Sequence, residues 1–301
     1  MLVSVVAAPW LCSAAAQQHR SPIRFGGPVF LQSDEPDQLA REHRRLGYSA
    51  AYCPKVQIAD TARLQAIERA FREQNVVIAE VGAWVNMLDA DAAKRKQNLA
   101  YVSERLAIAE AVGARCCVNI AGSFNVSVWY GPDPRNVSKT YFDATVENCR
   151  AVIDAIRPKR TSFSIEMSPW NLPDSPDEYL RLLKAVDRQS FRVHLDICNL
   201  INSPRKLYGN SDLIRECFQK LGSQIVSVHA KDLDWETGMH IHFKEVIPGQ
   251  GKLDYRTWLH CMASLGSQPP LMLEHLKNAA EYDQAAAFVR SVGREIGVSF
   301  A

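Results

Sequence analysis

Residues 76–120 read VVIAEVGAWVNMLDADAAKRKQNLAYVSERLAIAEAVGARCCVNI, and this stretch sets the pattern for the rest of the chain. Val76 to Val81 is apolar apart from Glu80, as expected of a strand buried on both faces. A long amphipathic segment, Ala92 to Val112, reads as a helix, and Gly113 stands where a helix ends in a left-handed residue. Cys116 to Ile120 then begins another strand. Strand, helix and strand in this order make a parallel pair joined by a right-handed crossover.

The same unit recurs in both directions. Before it come the strand Ile23 to Phe30 with the helix Pro36 to Leu46, and the strand Ala50 to Cys53 with the helix Thr61 to Gln74. The strand at Cys116 is followed by the helix Tyr141 to Ile156. Beyond that, Phe163 to Glu166 precedes the helix Asp177 to Val186, which Ser175-Pro176 leads in. Phe191 to Asp196 precedes Ser211 to Leu221, Ile225 to His229 precedes Tyr255 to Leu265, and Leu271 to Glu274 precedes Tyr282 to Ile296. Eight such units predict an α/β chain closed into a single (β/α)8 TIM barrel over residues 23–301, which leaves no sheet edge unpaired. An open doubly wound sheet would want a phosphate-binding GxGxxG turn early in the chain. Gly26-Gly27-Pro28 does not supply one, because the proline prevents a helix from opening on glycine N–H groups.

The bulk composition agrees. The chain has 301 residues, 47% hydrophobic and 23% charged, enough for one large core, with a formal net charge of +2. So weak a balance implies neither a nucleic-acid footprint nor a membrane-surface patch. The eight cysteines include no CxxC pair, which reads as reduced thiols in a reducing compartment and excludes zinc-finger spacing. Residues 1–22 are read as an N-terminal extension, expected to be disordered. The apolar run ending at Ala14-Ala15-Ala16 resembles a secretory signal, but no Lys or Arg precedes it and Pro9 interrupts it. The expected compartment is the cytoplasm.

Each of the last four strands ends in a residue type that binds hard divalent metals: Glu166, Asp196, His229 and Glu274. A lone carboxylate or imidazole at a strand end is usually a cap or a solvated loop residue. Four in succession at the same end are another matter, because neighbouring strands lie roughly 5 Å apart and their C-terminal ends converge. Such a set suits Mn²⁺, Co²⁺ or Mg²⁺ more than a structural zinc.

The motifs IEMSPW, HLDICN, VHAKD, PGQGKLDY and LMLEH resemble those of the xylose-isomerase-like superfamily of sugar isomerases and epimerases. In the ketose 3-epimerase branch, this resemblance implies metal ligation by Glu166, Asp196, His229 and Glu274, with the two glutamates also acting as acid and base. The loop Gly249-Gln250-Gly251 with Asp254 resembles an architectural element of the family. Three positions depart from that branch. Asn199 stands where it has a histidine, Trp235 where it has a substrate-binding arginine, and Leu172 where it has a further glutamate. The metal set is thus intact while the sugar-binding shell differs.

A cation bound to a carbonyl oxygen stabilises the enolate left by removal of the neighbouring proton, and a carboxylate nearby can remove it. Returning the proton gives epimerisation or isomerisation, whereas loss of an adjacent substituent gives elimination. The expected function is therefore a metal-dependent isomerase or epimerase of a keto-sugar or oxidised sugar derivative. The alternative is a lyase that resembles the catalytic subunit of C-glycoside deglycosidases and eliminates the aglycone from a 3-oxo-glycoside. An endonuclease resembling the endonuclease IV branch would want more histidines on the first four strands, and a non-catalytic barrel would not need four ligands. Lys231 either stabilises a substrate oxygen or pairs with a neighbouring acid. Candidate substrate contacts are Trp129, Trp170, His194, Asn199, His240 and His242. His194, two residues before Asp196 on the same side of its strand, is alternatively a support for the metal ligands. His240 and His242, placed on one face of a short hairpin strand, are alternatively exposed loop residues. The expected partner is a sugar or glycoside, not nucleic acid or membrane. A homo-oligomer, or a small companion subunit in the deglycosidase case, fits the same reading.

Overall fold

The computed structural model describes residues 21–301, so the expectation for residues 1–22 falls almost wholly outside the described residues. Its elements in order are β1 (Phe25–Gly26), α1 (Pro36–Arg45), β2 (Ala50–Tyr52), α2 (Thr61–Glu73), β3 (Val77–Gly82), α3 (Ala92–Val112) and β4 (Cys116–Asn119). They continue with α4 (Lys139–Ile156), β5 (Ser162–Glu166), α5 (Pro176–Val186), β6 (Phe191–Asp196), α6 (Pro204–Tyr208) and α7 (Asn210–Leu221). The chain closes with β7 (Ile225–Ala230), β8 (Asp232–Trp235), β9 (Phe243–Val246), α8 (Tyr255–Ala263), β10 (Leu271–Leu273) and α9 (Ala279–Glu295). Strands β1 to β7 and β10 pair in parallel, and β1 pairs with both β2 and β10, which closes a single (β/α)8 TIM barrel.

Local chemistry explains where the elements begin and end. Asp91, Ser138, Ser175, Asp254 and Asn278 each cap a helix by accepting a backbone N–H from its first turn. Gly113 closes α3 at φ 68°, a conformation that glycine reaches without the steric cost of a side chain.

Two features differ from expectation. The first strand is short, Phe25–Gly26, because the barrel needs only the residues that pair with Ala50, Leu271 and Met272. The hairpin expected after β7 is formed by β8 and β9, which pair antiparallel, so its strands flank His240 and His242 and do not contain them. The seven described cysteines are free thiols.

Side-chain alternation sorts the barrel into two layers. Ile165, Val193, Leu195, Val228 and Leu273 join the apolar layer under the helices, while Ala50 and Met272 belong to a separate small cluster inside the barrel. Because successive strand residues face opposite sides, Glu166, Asp196, His229 and Glu274 share the inward face. Ser164, His194, Ser227 and Met272, each two residues earlier, form the layer beneath them.

Candidate metal centre

Register brings the predicted ligands together. Asp196 pairs directly with His229 across β6 and β7, and Glu166 lies at the end of β5 opposite His194. Glu274 follows the last residue of β10, whose Leu273 pairs with Ala230. One donor atom from each of Glu166, Asp196, His229 and Glu274 lies within 4.8 Å of all the others. His229 Nδ1 is 2.9 Å from Glu274 Oε2, 3.5 Å from Glu166 Oε1 and 3.7 Å from Asp196 Oδ2.

The donor set fits a hard cation. His229 Nδ1, Asp196 Oδ2 and Glu274 Oε2 are buried facing one another, and the Lys231 ammonium lies 2.7 Å from Asp196 Oδ2 and 3.3 Å from Glu274 Oε2. Three carboxylates and an imidazole nitrogen turned toward one point offer the oxygen-rich set that a hard divalent cation takes.

The electrostatics point the same way. Burial pushes the Glu166 carboxyl above its ordinary value, more strongly than His229 pulls it down. Burial pushes Asp196 the same way, but Lys231 and His229 outweigh it and hold that carboxyl below the usual range. In Glu274, burial is likewise overcome by His229 and Lys231. For the bases the balance reverses: burial disfavours their charge, but Glu274 and Glu80 raise His229, and Asp196 and Glu274 raise Lys231. The carboxylates draw in whatever positive charge is near, and a divalent ion would supply it directly.

Lys231, 3% exposed, lies between Asp196, Glu274 (3.3 Å) and Glu245 (3.4 Å). Of the two readings open from sequence, the ion pair is the one these contacts display. Asn199 Nδ2 donates to Glu166 Oε1 at 2.8 Å and to the Met167 carbonyl at 3.0 Å. It touches a ligand, and what it does there is hold Glu166 in place.

None of the other candidate substrate residues belongs to this cluster. Of the two readings of His194, the structure displays the supporting one and not the substrate contact: it is fully buried one layer below the clustered residues, 2.9 Å from Glu80 Oε1 and edge-on to the His229 ring. No substrate reaches it there, because the ligands themselves cover it. His240 and His242 are the exposed residues that the alternative reading gives, but they do not share a strand, since β9 begins only at Phe243 and both stay in the turn of the hairpin. They border a shallow groove with Leu207, Tyr208 and Trp235 that contains none of the ligands. Trp129 is half-buried and packs edge-on against Tyr130. Trp170 is 55% exposed and lines a 360 Å³ groove with Pro132, Pro134 and Pro169.

Glu80 escaped the sequence reading. It is 1% exposed and gathers His194, His229 and Ser227 around its carboxylate. Burial would push its carboxyl up, but His229 and His194 hold it well below the ordinary range. The available signal was its being the only charged residue in the run Val76 to Val81. Glu245 was missed as well, and nothing in its exposed hairpin sequence marks it.

A 580 Å³ cavity lies at the other end of the barrel, lined by Arg72, Arg115, Arg160 and Arg192. It contains none of the ligands, and barrel chemistry is built at the C-terminal ends of the strands, so the cluster and not this cavity is the candidate site. Among the described residues no helix is long and apolar enough to cross a membrane.

Solved structures share this architecture at low sequence identity. D-psicose 3-epimerase, solved in the presence of D-fructose, is similar with a TM-score of 0.64 at 14% identity, over 91% of this chain and 99% of its own. The 3-keto-D-glucoside 4-epimerase of E. coli gives 0.63 at 12%, over 89% and 99%. Endonuclease IV from Thermus thermophilus gives 0.66 at 15%, over 90% and 99%. At these identities the likeness establishes the fold, and the fold does not choose among such chemistries. Among curated proteins, none matches the sequence. The sequence model described as xylose isomerase-like TIM barrel matches residues 40–292, most of the closed barrel with all four clustered residues, and the chain belongs to that family.

Proposed function

We propose that this protein is a divalent-metal-dependent isomerase or epimerase that removes a proton beside the carbonyl of a keto-sugar or an oxidised sugar derivative. The observation that carries this reading is the convergence of Glu166, Asp196, His229 and Glu274, one donor atom of each lying within 4.8 Å of all the others. These residues would hold Mn²⁺, Co²⁺ or Mg²⁺, which when bound polarises the substrate carbonyl and lowers the cost of charge developing on its oxygen.

The chain's own groups supply the proton transfer. Glu166 makes its contacts to Asn199 and His229 through Oε1, so Oε2 is the atom able to take and return a proton. Glu274 turns Oε2 toward His229 and Lys231, while Oε1 lies 3.4 Å from His275 on the outer side. Two glutamates from strands on either side of His229 suit removal by one and return by the other, which inverts the carbon. Lys231, bonded only to carboxylates, keeps a positive charge at the mouth where a substrate oxygen would gain from it.

Sugars and glycosides are the substrates we infer. The lyase alternative, elimination of an aglycone from a 3-oxo-glycoside, draws support from the groove at Trp170, whose indole and prolines suit a flat ring. The nuclease reading has less support: among the described residues, the metal-capable groups are this cluster and the Glu80, His194 and His229 set beneath it.

Incubation with Mn²⁺, free ketoses and 3-oxo-glycosides in deuterated water separates the readings. Deuterium uptake without aglycone release supports the isomerase or epimerase, and aglycone release supports the lyase. Neither outcome across the panel would sink proton-transfer chemistry. Glu274→Gln should lower turnover by about 10²–10⁴-fold, the usual worth of a positioned acid or base.

A further inference from the structure

A buried carboxylate beneath the ligands remains without a role in the reading above. Glu80 lies on β3, far from β7 in sequence, yet its side chain enters the barrel interior under His229. A bulge puts it there. Ala50 and Ala51 pair with Val77 and Ile78, but Tyr52 pairs with Glu80, so Ala79 is an extra residue on β3. Such insertions re-aim the side chains beside them.

Every contact of Glu80 is to a donor. Oε1 accepts from His194 Nε2 at 2.9 Å and from the Ser227 hydroxyl, and Oε2 lies 3.1 Å from His229 Nε2. An ionised carboxylate only accepts, so Nε2 of His229 carries a hydrogen directed at Glu80. In a neutral imidazole the other nitrogen then holds a lone pair, and His229 Nδ1 faces Glu166, Asp196 and Glu274. A second cation between Glu80, His194 and His229 would have to break these hydrogen bonds, so the group reads as support for the first site.

We propose that Glu80 is the positioning residue of the metal centre, fixing His229 in the tautomer and orientation that present Nδ1 to the cation. This rests on the metal-centre reading given above. A buried carboxylate is costly to keep, and a partner that orients a ligand histidine is one of the roles that retains it. Substituting such partners typically weakens metal binding by about 10–100-fold.

Mn²⁺ titration followed by electron paramagnetic resonance tests this on the full chain. Glu80→Met, similar in size but unable to accept, should weaken Mn²⁺ binding by about 10–100-fold. Glu80→Gln should fall between it and the wild type. Its amide oxygen can still accept from His229, while His194, whose Nδ1 has no partner, can move its proton there. Glu166→Gln serves as the reference. If it binds Mn²⁺ like the wild type, the metal-centre reading fails. If it weakens binding while a folded Glu80→Met does not, only the role of Glu80 fails. Should Glu80→Met not fold, ¹⁵N-histidine spectra of the wild type loaded with Mg²⁺ decide the matter. A proton on His229 Nε2 and none on Nδ1 supports the proposal, and the opposite tautomer overturns it.

Discussion

Lys231 has carboxylates of Asp196, Glu245 and Glu274 within 3.4 Å of its ammonium. Removing one partner of a buried ion pair typically costs about 3–5 kcal/mol, because the remaining charge stays buried and unpaired. A bound divalent ion would offset that loss at Asp196 and Glu274. Lys231→Met should therefore destabilise the protein by about 3–5 kcal/mol in chelator and by clearly less with saturating Mn²⁺. Urea unfolding under both conditions checks this, and equal losses in the two would count against a shared role with the cation. Trp170 poses a different case, being exposed and outside the ligand cluster. If it stacks against substrate, Trp170→Ala should raise KM by roughly 2–10-fold, the worth of one aromatic contact, and leave Mn²⁺ affinity unchanged. An unaltered KM on the best substrate would remove it from the site.

The connection between β7 and α8 shows how one element carries the mouth of the barrel. The Asp232 carboxylate accepts backbone N–H groups of Leu233, Gly249, Gly251 and Leu253 at 2.9–3.1 Å. A Cβ at Gly251 would collide with Asp232 Oδ1, so only glycine admits the carboxylate this closely. Asp254 then caps α8 and accepts from Ser211, tying the loop to α7. The motif PGQGKLDY, which resembles an architectural loop of the family, acts here as a turn wrapped around the residue after Lys231. Asp232→Asn replaces one acceptor oxygen with a donor facing N–H groups and should cost about 1.5–3 kcal/mol. Hydrogen exchange would show faster amides at Gly249, Gly251 and Leu253. Unchanged protection there would mean that other contacts hold the loop.

For the whole molecule, metal binding and stability are linked. A cation that binds only the folded barrel at a hundred times its Kd should stabilise it by about 2.7 kcal/mol. The denaturation midpoint should rise with Mn²⁺ and fall back on adding chelator. A midpoint indifferent to both would contradict the assembled site. The order of residues alone determined the barrel and the four strand-end residues that gather at its mouth, since periodicity, caps and strand-end chemistry are written locally and each βα unit repeats them. The same local reading expected a hairpin after β7 but not which residues pair in it, since that depends on where β7 ends. It also left two readings open for His194 and passed over Glu80. Glu80 and His229 are 149 residues apart and meet only when a bulge and the closure of the barrel bring opposite walls together. No local pattern encodes such a contact, because what stabilises a buried carboxylate is the set of donors that the finished fold delivers to it.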